Sequence, residues 1–275
     1  MPPATVNFWF EFASPYSMIS ALRLLRALTN RASPDDLRGL PSSQLPDLDD
    51  VRVVYRPIFL GAVFKAIGQQ ALPNVQVPVK GKYMFHDVQR TLNLLGCPGF
   101  PSSRPKHWPP NPALAGRMAW MLAQGPEFVS ALARGGDIAQ SNAGGLQPDA
   151  TKVLAEFVWR VYEAEFLASE DIGSPEVMAR LWDVYVARAL GVAMPDGRRA
   201  VELSKLDVVK DGFRGSTQTA IDSKMFGAPS FTTDDGDMYW GNDHLIDAFM
   251  HHRIRDRLNQ PLGYCVESTA GTPNM

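Results

Sequence analysis

The chain has 275 residues, a formal net charge of −2, 45% hydrophobic residues and 20% charged residues, the balance of an ordinary globular protein with room for a sizeable core. That charge, with no long Lys/Arg block, argues against a nucleic-acid surface, and no apolar run reaches the ~18 residues of a membrane span. Two cysteines, Cys97 and Cys265, lie far apart and make no disulfide scaffold; with no secretory leader recognisable in the opening residues, the expected compartment is a reducing cytoplasm.

Residues 6–12, VNFWFEF, alternate, with Val6, Phe8, Phe10 and Phe12 on one face and Asn7, Trp9 and Glu11 on the other. Bulk on both faces predicts a central strand. Residues 15–28, PYSMISALRLLRAL, follow at helical spacing, with Ile19, Leu22 and Leu25 or Arg26 on one stripe. Ser14 suits the N-cap and Pro15 the first helical position. The same geometry has a second meaning. A helix N-terminus offers free N–H groups and a positive dipole end to an anion, and a hydroxyl there can donate to a thiolate and lower its pKa. The residues alone leave both readings open. No Gly-x-Ser-x-Gly elbow surrounds Ser14, which weighs against a serine-hydrolase nucleophile.

Residues 29–50 are rich in Pro, Ser and Asp and read as a mobile insertion. Residues 51–59, VRVVYRPIF, form a second strand, so the opening is a βαβ unit. The middle is helical, with helices over 83–96, closed by Gly96, and over 113–123, 126–133, 149–168, 174–190 and 204–224. A proline-laden loop, residues 97–112, cannot be helix interior.

Strands return at residues 229–241, PSFTTDDGDMYWG, a strand, an Asp-Gly turn and a strand. Pro229 opens the first of them. A cis Ala228–Pro229 bond would expose the Ala228 backbone to an extended peptide, and an ordinary trans proline is the alternative. Residues 242–258 form a closing helix, with Asn242 at its N-cap and Asp243 in its first turn. The alternative there is a site for a small ligand's charged group. A tail follows from Asn259. The order predicts an α/β domain, residues 1–65 and 225–258, split by a helical insertion over 66–224, with 259–275 as tail. The histidines show no metal pattern, since His251 and His252 are adjacent and diverge by ~100° on a helix. No metal site is expected.

Three segments, in order, carry a family likeness: FWFEFASPYSMIS; YRPIFLGAVFKAIGQQ with VPVKGKYMFHDVQR; and FGAPSFTTDDGDMYWGNDHL. Across most of residues 5–255 the chain resembles the 2-hydroxychromene-2-carboxylate isomerases and the kappa-class glutathione transferases, in the DsbA-like branch of the thioredoxin superfamily. The resemblance implies a thioredoxin-like domain split by an all-helical insertion, with glutathione as cofactor and its sulfur at the first helix's N-terminus. It implies that Ser14 hydrogen-bonds the thiolate and that Ala228, before Pro229, pairs its backbone with the cysteinyl unit. Asn242 and Asp243 would hold the γ-glutamyl end, and Lys80 the glycyl carboxylate. Gln69 stands where kappa relatives carry Asn, as Ile-Gly-Gln in place of Ser-Gly-Asn, a departure at that contact. A thioredoxin-type oxidoreductase would carry Cys-x-x-Cys where this chain has Ser14 and Ser17, so dithiol exchange is excluded there. The implied reaction is reversible conjugate addition of glutathione thiolate to an aromatic enone or pyruvate-type small molecule. A transferase releasing the conjugate and a non-catalytic ligand-binding or chaperone-like protein are the alternatives. The helical insertion and the loop around Trp108 would roof the pocket. A homodimer is implied by the resemblance, and no nucleic-acid or membrane partner is expected.

Overall fold

The structure, a computed structural model, describes residues 4–29, 51–69, 76–101, 104–135, 146–190 and 194–258. The insertion expected over 29–50, apart from its first residue, lies outside them, as do the tail from Asn259 and Cys265.

β1 (Ala4–Phe10) leads through α1 (Pro15–Leu28) to β2 (Val51–Pro57), which pairs with it in parallel, Val6 opposite Val53. β3 (Ser230–Thr233) pairs antiparallel on the other side of β1, with Phe8 opposite Phe231, and β4 (Met238–Trp240) completes the order β2-β1-β3-β4. β1 is therefore internal, as its two bulky faces predict. On one face Phe8 stacks on Phe10 and Phe231, with centroids 5.0 and 5.4 Å away, and meets Tyr55 edge-on. On the other, Trp9 is buried with Ile58 and with Leu60 and Val63 of α2 (Leu60–Ala66). This is the split thioredoxin-like α/β arrangement expected from the sequence.

The strand ends two residues earlier than its alternation predicts. Phe12 leaves the sheet and packs edge-on against Phe10 and at a tilt against Tyr162, so tertiary packing overrides the period. α2 was not anticipated, being short and lacking a capping side chain.

Between α2 and β3 the described chain is helical: α3 (Pro78–Leu94), α4 (Ala113–Ala123), α5 (Pro126–Arg134), α6 (Pro148–Tyr162), α7 (Pro175–Tyr185), α8 (Gly197–Leu203) and α9 (Asp207–Asp222). α3 starts earlier than expected because Pro78 serves as a helix-initiating residue. The long helix expected over 149–168 runs as α6 into a π turn, Glu163–Leu167. α8 is a further helix ahead of the expected 204–224 segment. Its Gly197 is required by close approach, since a Cβ there would lie 2.0 Å from the Ala179 carbonyl oxygen. α10 (Leu245–Leu258) closes the described chain after a 3-10 turn, Asn242–His244. α1 packs against α3 and α6, so the helical block holds the helix whose N-terminus faces the site.

Candidate functional site

At the end of β1 the backbone turns sharply. The Ser14 N–H donates to the Glu11 carbonyl oxygen at 3.0 Å, and the Ala13 N–H donates to Glu11 Oε2 at 2.8 Å. This turn delivers Ser14 to the N-cap of α1. Its Oγ accepts from the Ser17 N–H at 3.2 Å and donates to the Ala228 carbonyl oxygen at 2.9 Å. The capping reading of Ser14 is thus realised, and the same hydroxyl ties α1 to the entry of β3. The Ala228–Pro229 peptide is cis.

A cleft of about 1030 Å³ opens at this junction, large enough for a drug-sized ligand. Ser14, Gln69, Lys80, Ala228, Pro229, Asn242 and Asp243 all line it. Ser17 does not; it is fully buried beside Tyr162. Trp108 and the two prolines after it line the cleft from the loop side. Apolar walls come from Phe59, Phe64, Phe226 and Trp240, the last two with rings 5.1 Å apart.

Asn242 is not the helix cap its position suggested. Gly241 precedes the 3-10 turn with φ 103°, a conformation suited to glycine, and no side chain caps that turn. Asn242 Oδ1 instead accepts from Ser20 Oγ at 3.2 Å and from an Arg23 guanidinium N–H at 3.0 Å. A guanidinium only donates, so the Asn242 amide oxygen must face α1 and its NH₂ group faces away. Asp243 sits beside it with its side chain 75% exposed. Gln69 Oε1 is buried and has no hydrogen-bond partner among the described residues, an arrangement that favours a ligand donor.

Residues 5–105 and 125–252 match the family described as the DsbA-like thioredoxin domain. The chain belongs to that family. No curated protein matches it. Among solved structures it is similar to a 2-hydroxychromene-2-carboxylate isomerase, with a TM-score of 0.61 and 20% identity, over 93% of this chain and 98% of that one. It is also similar to a probable DsbA oxidoreductase from Streptomyces coelicolor, with a TM-score of 0.54 and 13% identity, over 97% of this chain and 94% of that one. At these identities the two likenesses establish the fold.

Within this DsbA-like chain, several cleft residues carry polar chemistry that the sequence pattern did not single out. Glu11 lines the cleft yet is only 5% exposed. Burial pushes its carboxyl up to about 8, against the opposing pull of the Ala13 N–H. The Tyr16 hydroxyl donates to Asp87 Oδ2 at 3.0 Å, and both line the cleft. Burial, then Asp87, raises the Tyr16 phenol well above its ordinary value. Asp87 also pairs with Arg90. The available signal was a carboxylate in an otherwise aromatic segment, FWFEFA, which an alternating-strand reading sends to a sheet face. Among the described residues, no group of three or more His, Cys, Asp or Glu is placed to hold a metal, and no helix is long and apolar enough to cross a membrane.

Proposed function

We propose that this protein is a glutathione-dependent isomerase of the 2-hydroxychromene-2-carboxylate type. The observation that carries the reading is Ser14, which caps α1 inside a cleft shared with Lys80, Ala228, Asn242 and Asp243. A serine at that helix start keeps a thiolate-stabilising environment and gives up disulfide chemistry. Bound glutathione would supply the thiol whose thiolate adds reversibly to an unsaturated carbon beside a carbonyl.

The residues present fit that group. Gln69 Oε1 is a buried acceptor awaiting a donor. The Asn242 NH₂, turned from α1 by Arg23 and Ser20, is free to serve a carboxylate, while Asp243 can take an ammonium. Lys80 supplies a positive charge for the opposite carboxylate. The single hydroxyl proton of Ser14 goes to the Ala228 carbonyl. Turning that hydroxyl from the carbonyl towards a bound sulfur would let Ser14 donate to a thiolate, and the Ala228 carbonyl could then accept a peptide N–H in its place. The aromatic walls suit a flat apolar substrate.

The test is incubation with 2-hydroxychromene-2-carboxylate, with and without glutathione. Interconversion with its ring-opened isomer should require glutathione and leave its concentration unchanged. An accumulating conjugate would indicate a transferase. No reaction, with retained glutathione binding, would indicate a binding protein.

A further inference from the structure

We propose that Glu11 is the acid–base residue of this cleft, giving a proton to the substrate oxygen as the carbon–sulfur bond forms and recovering it as that bond breaks. The proposal rests on the glutathione-dependent reading above. Its geometry comes from the turn after β1. Glu11 lies three residues before Ser14, its backbone oxygen accepts the Ser14 N–H, and the residue lines the same cleft. One carboxyl oxygen, Oε2, is held by the Ala13 N–H at 2.8 Å, which fixes the group instead of leaving it to rotate.

The surroundings keep this carboxyl protonated. From α6 the Tyr162 hydroxyl donates to the Glu11 carbonyl oxygen at 3.0 Å, and on α1 Ser17 lies beside Tyr162. No charged side chain among the described residues offsets the burial of Glu11. The charged groups sharing the cleft are Lys80, Asp87 and Asp243, with His244 when protonated. A thiolate at Ser14 adds a negative charge a short way off, and a second in a dry site is unfavourable. Glu11 therefore enters the reaction as a neutral acid, consistent with the upward push on its carboxyl.

The step balances without a further reagent. As the carbon–sulfur bond forms, the electron pair of the carbon–carbon double bond moves to the substrate's carbonyl oxygen. Glu11 places its proton on that oxygen and becomes a carboxylate. After rotation about the bond that is now single, the carboxylate takes the proton back. The double bond re-forms and sulfur leaves as thiolate.

The variant is Glu11→Gln, which retains size and the oxygen that accepts from Ala13 but carries no transferable proton. Its kcat should fall on the order of 100-fold, the lower end of general-acid contributions, with glutathione affinity unchanged by calorimetry. Wild-type activity should fall as pH rises through about 8, where Glu11 loses its proton, and that limb should vanish in Glu11→Gln. Infrared difference spectra of wild type, glutathione-bound minus free, should show a protonated-carboxyl stretch that shifts on binding and is absent in Glu11→Gln. Binding without any carboxyl shift, or a Glu11→Gln enzyme with unimpaired kcat, overturns the role of Glu11 and leaves the glutathione reading standing. Loss of glutathione binding in wild type, or binding without turnover, overturns the isomerase reading itself, and Glu11 with it. Should Glu11→Gln fail to fold, the same spectra of Glu165→Gln, which removes the other buried carboxyl raised to about 8, still decide.

Discussion

Arg23, buried on α1, grips Asn242 twice, donating to its backbone oxygen at 2.7 Å and to its side-chain oxygen at 3.0 Å. The helix that presents Ser14 thereby also sets the orientation of a second amide in the cleft. Nothing in α1's apolar stripe announces this, because an arginine there reads as solvated.

Arg23→Lys should expose the value of that grip. Both bonds come from one nitrogen, Nη1, held in place by the planar guanidinium, and lysine's freely rotating ammonium lacks that preorganisation. The Asn242 amide would then rotate, and glutathione affinity should fall roughly 10-fold, about 1.4 kcal/mol. Isothermal titration beside a thermal melt checks this. A lowered melting temperature with unchanged affinity would take Asn242 out of the binding site.

Ser14→Ala removes both a cap and a donor. Loss of the cap costs about 0.5–2 kcal/mol of stability. Loss of a hydrogen bond to a charged sulfur costs roughly 1.5–3 kcal/mol, so turnover should slow on the order of 10- to 100-fold and the bound thiol's pKa should rise. Thiolate absorbance followed against pH separates the two effects. An unchanged thiol pKa with reduced stability leaves Ser14 as a cap alone.

Asp243→Ala should do the reverse. Its side chain is 75% exposed, so the fold owes it little, and a first-turn charge contributes about 0.3–1 kcal/mol. Glutathione binding should weaken several-fold while the melt stays nearly constant. Equal affinity in the variant would remove Asp243 from the γ-glutamyl end.

How far the sequence reached follows from which interactions are local. The alternation of Phe8 and Phe10 placed β1 at the sheet interior, and Ser14-Pro15 marked the start of α1, because pleat and cap are written in consecutive residues. The residues assigned by family likeness fall into one cleft. Three features were not legible. The strand ends at Phe10 because Phe12 packs against Tyr162, 150 positions away. Asn242 is held by Arg23, 219 positions away, so its capping signal was outcompeted by a long-range partner. Glu11 reads as a strand residue on the face of Asn7 and Trp9 until the turn at Ala13 sets it at the cleft. The first two are tertiary contacts overriding a local preference, the third is a turn that breaks the alternation, and the last two bear on the site.

The cysteines should be dispensable. Cys97 is half-buried at the end of α3, where burial raises its thiol despite the nearby Arg26, so it is a poor nucleophile at neutral pH. It does not line the cleft. A Cys97→Ser, Cys265→Ser double variant should retain glutathione-dependent turnover, and wild type should not reduce insulin disulfides with dithiothreitol. A folded but inactive double variant would demand a nucleophile from the protein itself.

Stability should fall as pH rises from about 5 to 8, and two buried carboxyls are the reason. Glu165, in the π turn after α6, is fully buried, and burial, then Asp171, pushes it up to about 8. Glu11 reaches a similar value through burial. In the unfolded chain a glutamate titrates near 4.3. Between those two values the native state holds protons that the unfolded state has released. The contribution is therefore full below the unfolded pKa, is lost as pH rises through the folded one, and is flat above it. Each group changes stability by about 1.4 kcal/mol per pH unit within that window, so a few kcal/mol across it. Asp235 acts oppositely at acid pH. Burial would raise its carboxyl, but the Thr233 hydroxyl and His251 outweigh it and hold it below the usual range, so its share of stability is lost as pH falls. Glu165→Gln, which lies outside the cleft, isolates one of these terms: it should match wild type or be slightly less stable near pH 4.5 and melt several degrees higher at pH 8. Chemical denaturation at both pH values checks it. A variant whose stability parallels wild type across the window would mean that Glu165 ionises as an ordinary surface carboxyl.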